Sequence, residues 1–210
     1  RQMRRDLQEA AAIQQSWLPR SVPEVPGYRF AWRFRPCEEL AGDGLNIVPL
    51  DEDHIGVYIL DVCGHGVPAA LLSVSLNRRL SALPEESVLF EPSDSHPSGA
   101  IPAEPIGVAE KLNRQYAAGP ATGKFFTLLY GILDLRDGAF RYVTAGHPPP
   151  LRSRAEGVDD CPKAAGAPIG LLDEFAYEEA EVRLAPGDRL LLYTDGVTEA
   201  MDREQRLFSE

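Results

Sequence analysis

Cysteine is scarce in this 210-residue sequence: Cys37, Cys63 and Cys161 are far apart and odd in number. That excludes a disulfide-stapled scaffold and points to reduced thiols in the cytoplasm. Long apolar runs are missing too. None approaches the roughly 18 residues that cross a bilayer, so no membrane insertion is expected. The opening stretch, RQMRRDLQEAAAIQQSWLPR, is charged and lacks the apolar centre of a secretory signal. Basic residues are the minority, 21 Lys and Arg against 32 Asp and Glu, for a net charge of −11. That balance argues against nucleic acid and against an anionic membrane surface. It is compatible with divalent cations, which need carboxylates. There is no Gly-x4-Gly-Lys-Ser/Thr phosphate loop and no internal repeat. The chain opens on Arg1 rather than Met, so it reads as a piece of a longer one.

What is present is ordinary globular material, 44 % hydrophobic and 25 % charged, enough for one large domain with an appendage. Residues 1–18 read as a helix whose stripe is Met3, Leu7, Ala10, Gln14 and Trp17. It either packs on its own domain or ends a signalling helix from an upstream sensor domain, with a homodimer through this helix as one arrangement. Pro19, Pro23, Pro26 and Gly27 stop it, and residues 19–210 form the main domain. YRFAWRFRP alternates as a half-buried strand, and LNIVPL pairs with HIGVYIL across Asp51-Glu52-Asp53. Helices are expected over 66–82 and 106–117, and surface loops over 84–105 and 152–167. FFTLLYGILDL and AFRYVTAG form a hairpin around Arg136-Asp137-Gly138. YEEAEVRL and DRLLLYTDG follow, joined by the APGD turn. Strands outnumber helices and most are joined by short turns. The expected class is α+β, with mainly antiparallel sheets and helices on their outer faces.

Three stretches run from a strand into aspartate and glycine. Asp61 ends HIGVYIL before Gly64 and Gly66, Asp195-Gly196 follows RLLLYT, and Asp43 sits between Gly42 and Gly44. Asp-Gly is also a common turn dipeptide, so each alone reads as a turn. Together at one rim of a sheet sandwich, three aspartates repel one another unless a cation neutralises them. All-oxygen ligands suit Mg²⁺ or Mn²⁺ rather than Zn²⁺. His147 in TAGHPPPL reads as a loop-ordering hydrogen-bond donor before a catalyst. His65 is a candidate for substrate contact, and Cys63 reads as structural.

LDVCGHGVPAALLS, FFTLLYGILDLRDGAFRYVTAGHPPPL, GAPIGL and LAPGDRLLLYTDGVTEAMDREQRLF resemble, in order, the motifs of the SpoIIE/RsbU-like branch of the PPM, or protein phosphatase 2C, metal-dependent Ser/Thr protein phosphatases. The resemblance runs from about Ile13 to Phe208. It implies a four-layer α-β-β-α sandwich with two Mn²⁺ or Mg²⁺ ions at one end. It places Asp61 between both ions and their nucleophilic water, with Asp43, the Val62 backbone carbonyl and Asp195 as further metal ligands. His65 would touch substrate, at a position that is often Lys in this branch. The implied reaction is hydrolysis of phosphoserine or phosphothreonine on a protein, typically a STAS-type anti-anti-sigma factor in a partner-switching pathway. The first motif departs from the family pattern: AGDGLN carries Asn46 where a carboxylate is common. The family's last metal aspartate would fall beyond Glu210. A regulatory module that binds a STAS or kinase partner without turnover is the alternative.

Overall fold

A computed structural model describes residues 2–36, 39–117 and 124–208; the expectation for Cys37 lies outside them. In chain order the elements are α1 (Gln2–Gln15), β1 (Gly44–Pro49), β2 (His54–Val62), α2 (Val67–Arg79), β3 (Phe90–Pro92), β4 (Ala100–Pro102), α3 (Pro105–Ala117), β5 (Phe126–Asp134), β6 (Ala139–Ala145), β7 (Leu151–Arg154), β8 (Gly157–Asp160), β9 (Ala180–Arg183), β10 (Arg189–Leu191) and α4 (Asp195–Thr198). The β1–β2 and β5–β6 hairpins, turning where the sequence predicts, join through β2–β5 into an antiparallel sheet ordered β1-β2-β5-β6-β9. A smaller antiparallel sheet is ordered β10-β7-β8, and β3 pairs with β4. The α+β class with antiparallel sheets is as the sequence predicts.

The large sheet is apolar on both faces, so it needs cover on both. One face carries Tyr58, Leu60, Val62, Leu128, Tyr130 and Val143 against α2 and α3, through Ala69, Leu76, Val108 and Leu112. The other carries Ile55, Leu129, Leu133, Phe140, Tyr142 and Val182 against Cys161, Leu190 and Leu192 around the small sheet. Each such buried side chain contributes about 1.5–3 kcal/mol before entropy is charged. α2 starts at Gly66, whose φ of 75° suits glycine, and carries Pro68 in its first turn, where no intrahelical N–H is lost. Its inward stripe is small and polar as well as apolar: Ala69, Ala70, Ser73, Leu76 and Asn77. The small residues let it approach the sheet closely, and Asn77 accepts the Tyr58 hydroxyl at 2.8 Å.

Four local expectations change. YRFAWRFRP keeps its alternation, with Tyr28, Phe30 and Phe34 turned inward, but forms no ladder beyond the Val25–Tyr28 bridge. Alternation reports side-chain burial and cannot supply a partner strand. The 84–105 loop contains β3–β4 and buries Val88, Leu89 and Phe90. The 152–167 loop contains the β7–β8 hairpin. On α1, Met3 is 76 % and Trp17 37 % exposed, while Gln14 and the following Leu18 are buried.

Candidate metal centre and active site

The β1–β2 ladder ends with Gly44 opposite Leu60, so Asp43 and Asp61 are the next facing positions. Both side chains are half-buried at that rim. Both groups are held above the ordinary carboxylate range. Burial is the main cause for each. The charges of Asp43, Asp195 and Glu199 add to it for Asp61, which is pushed up to about 7.

Neighbouring elements fix this pair. Ser73 on α2 donates to the Asp43 carbonyl at 2.9 Å, and Thr194 donates to Asp43 Oδ2 at 3.2 Å. Asp61 faces Thr127 across the β2–β5 ladder. A Cβ on Gly42 would stand 2.7 Å from the Val62 carbonyl oxygen and 3.3 Å from Asp61 Oδ1, so only glycine leaves both oxygens uncrowded. Val62 itself is buried. Lys124 donates to the carbonyl of Cys63, in the turn that follows.

Asp195 opens the single-turn helix α4 and is exposed. Its charge reaches both Asp43 and Asp61, so the structure brings the three aspartates into one electrostatic neighbourhood. Among the described residues, no three acidic, His or Cys side chains are drawn close enough to form a finished cation cage. The donor chemistry fits a hard divalent cation: oxygens alone, two half-buried acids at facing strand ends, and a glycine-cleared carbonyl beside them. His65 is exposed on the Gly64–Gly66 turn. Cys63 is exposed next to the site and unbridged. Asn46 faces Tyr58 across the β1–β2 ladder, and its Oδ1 accepts the Ile47 N–H at 2.9 Å.

His147 is loop-ordering, as the sequence predicts. It is 1 % exposed, with Nδ1 2.8 Å from the Thr127 hydroxyl and Nε2 3.0 Å from the Tyr193 carbonyl. Burial holds its pKa down at about 4, so the ring is neutral. Sequence reasoning missed Gly42 as the clearance for the Val62 carbonyl, and it missed Ser73, Thr127, Thr194 and Glu199. Glu199, four residues past Asp195 in a carboxylate-rich segment, was the most readable of these.

α1 reaches this region through one residue. Gln14 Nε2 donates to the Ala41 carbonyl at 2.5 Å, and its Oε1 accepts the Ala41 N–H at 3.1 Å. That clamp lies two residues from Asp43.

Known proteins resemble this chain in sequence and fold. The family model described as Stage II sporulation protein E (SpoIIE) matches residues 51–210. Protein IcfG of Synechocystis sp. is 28 % identical over 98 % of this chain and 34 % of its own length. The phosphoserine phosphatase RsbU of Bacillus subtilis is 28 % identical over 94 % of this chain and 55 % of its own. The chain thus spans about a third of the first of these curated relatives and just over half of the second. The RsbU and RsbW domains of Rv1364c from Mycobacterium tuberculosis superpose with a TM-score of 0.62 at 27 % identity, covering 80 % of this chain and 43 % of that one. The SiaA-PP2C domain of Pseudomonas aeruginosa shares the fold, with a TM-score of 0.74 at 21 % identity over 100 % of this chain and 78 % of that one. With residues 51–210, three-quarters of its length, matched by the family model, the chain belongs to the SpoIIE family, in the SpoIIE/RsbU-like branch of the PPM phosphatases.

Proposed function

We propose that this domain removes phosphate from phosphoserine or phosphothreonine on a protein substrate, with Mg²⁺ or Mn²⁺ held by Asp43, Asp61, the Val62 carbonyl and Asp195. The observation that carries the reading is the Asp43–Asp61 pair, two half-buried acids facing each other at adjoining strand ends beside a glycine-cleared carbonyl. Divalent cations bound there supply an acidified water and neutralise charge on the phosphoryl oxygens. The chain's own part is to hold that charge in place. Ser73 and Thr194 fix Asp43, the β2–β5 ladder fixes Asp61, and His65 and Lys124 stand at the rim where a phosphoprotein would enter.

RsbU and RsbP, both phosphoserine phosphatases by name, support this reaction class. A STAS-type anti-anti-sigma protein is the substrate class that the family resemblance favours. α1 would then arrive from an upstream sensor domain and meet the site through Gln14. The test is Mn²⁺-dependent release of phosphate from a phosphorylated STAS-domain protein. Asp61→Ala should lower it by about 10²-fold or more while the fold survives. Activity within a few-fold of the parent would overturn the assignment.

The second reading, binding without turnover, draws on Asn46. That residue offers an amide where the family commonly has a carboxylate, and its oxygen is occupied by the Ile47 N–H. Stable capture of the phosphoprotein with no phosphate released at any Mn²⁺ concentration would favour it.

A further inference from the structure

Asp195 is the least supported of the candidate ligands. β10 ends at Leu191, and its ladder partner is β7 of the small sheet, not a strand carrying Asp43 or Asp61. Residues 192–194 belong to no strand, and α4 is one turn with none of its residues buried. Something else must place this segment against the large sheet.

His147 is in the position to do so. The Tyr193 carbonyl can only accept, so Nε2 carries the ring proton and donates to it. Nδ1 then accepts from the Thr127 hydroxyl. Thr127 is the register partner of Asp61, and Tyr193 precedes Thr194, whose hydroxyl holds Asp43. One buried imidazole therefore joins the strand beside Asp61 to the segment that carries Thr194 and Asp195.

The imidazole's own base is rigid. Gly146 has a φ of 68°, donates its N–H to the Gly166 carbonyl at 2.8 Å and bridges to Leu128. A Cβ there would strike Pro168 at 2.5 Å. Pro148, Pro149 and Pro150 follow directly. Because the histidine sits on the fixed part and Tyr193 on the lightly held part, the constraint runs from His147 to Asp195.

We propose that His147 is a positioning residue for the Thr194–Asp195 side of the metal centre, holding the Tyr193 carbonyl so that Asp195 faces Asp61. This rests on the metal-centre reading above. Partners of this kind, one step removed from the ligands, typically shift metal affinity 10- to 100-fold when removed.

The test uses His147→Ala and His147→Gln in the intact protein. Gln carries an amide N–H that can reach the Tyr193 carbonyl. In His147→Ala, the Mn²⁺ concentration giving half-maximal activity should rise about 10- to 100-fold, while kcat at saturating Mn²⁺ falls much less. In the metal-free protein, amide hydrogen exchange at residues 193–197 should quicken, with β5 and β6 unchanged. His147→Gln should recover part of both effects. Should His147→Ala fail to fold, His147→Gln alone must show an intermediate Mn²⁺ midpoint and intermediate exchange. Unchanged exchange at 193–197, or an unchanged Mn²⁺ midpoint, overturns the role of His147. A parent protein indifferent to Mn²⁺ in both activity and thermal unfolding would instead overturn the metal-centre reading itself.

Discussion

Gly42→Ala adds one methyl group at the place where the site has least room. The new Cβ would stand 2.7 Å from the Val62 carbonyl oxygen, where ordinary contact begins near 3.4 Å, so 0.7 Å must be found. The obstructing atom is backbone, at the end of strand β2, and no rotamer change relieves it. Asp61 Oδ1, 3.3 Å from the same position, is crowded at once. Overpacking of this kind costs about 1–3 kcal/mol. For a protein of this size that lowers Tm by several degrees. The effect on activity should be larger, because a displacement near 1 Å in a reacting constellation costs about 10²-fold. Phosphate release measured against Mn²⁺ concentration, with thermal unfolding in parallel, separates the two effects. The expected result is a folded protein whose kcat falls between about 10- and 100-fold. Activity within threefold of the parent, at an unchanged Mn²⁺ requirement, would show that the Val62 carbonyl and Asp61 need not stand where they do.

Gln14→Leu strips both hydrogen bonds from Ala41 and should cost about 1–3 kcal/mol in urea unfolding. If α1 communicates with the site, it also raises the Mn²⁺ midpoint; an unchanged midpoint would make α1 a cover only. Gly107→Ala, in the first turn of α3, meets nothing nearer than Glu91 Oε1 at 3.6 Å and should stabilise by about 0.5–1 kcal/mol with unchanged kinetics. Acid should weaken the fold through His147. Its folded pKa lies near 4, below the ordinary 6.5, so the unfolded chain takes up the proton first. The stability it contributes is whole above pH 6.5 and drains away as pH falls to 4, by about 3 kcal/mol at most. His147→Gln should remove that component of the acid dependence, and urea midpoints at pH 7.5, 6 and 5 would reveal an unchanged slope if the idea is wrong.

The two central hairpins were readable because turn residues and apolar strands agreed at each: Asp51-Glu52-Asp53 and Arg136-Asp137-Gly138 both turn where expected. α2 and α3 fall within a residue or so of where helices were expected to begin. Asp43 and Asp61 were legible as strand ends, and the ladder register explains why they face each other; the strand expected to run into Asp195 instead stops at Leu191. The partners that hold them were not legible. Ser73, Thr127 and Thr194 are ordinary hydroxyl residues whose roles come from which elements the fold packs beside the two strand ends. YRFAWRFRP misled for the opposite reason, since its burial pattern is that of a strand while its backbone pairs only at the Val25–Tyr28 bridge. β9 and β10 looked like one hairpin across APGD, but that turn carries the chain from the large sheet to the small one.

That crossing sets an order of events in folding. Asp43 and Asp61 lie 18 positions apart and meet as soon as one hairpin closes. Asp195 lies 134 positions beyond Asp61 and can join them only after the chain has laid down the large sheet, left it at APGD and docked β10 on β7. Contacts closing such long loops form late, because the entropy of the loop must be lost before the contact rewards it. A chain emerging from synthesis would therefore carry a closed Asp43–Asp61 pair well before Asp195 took its place beside it.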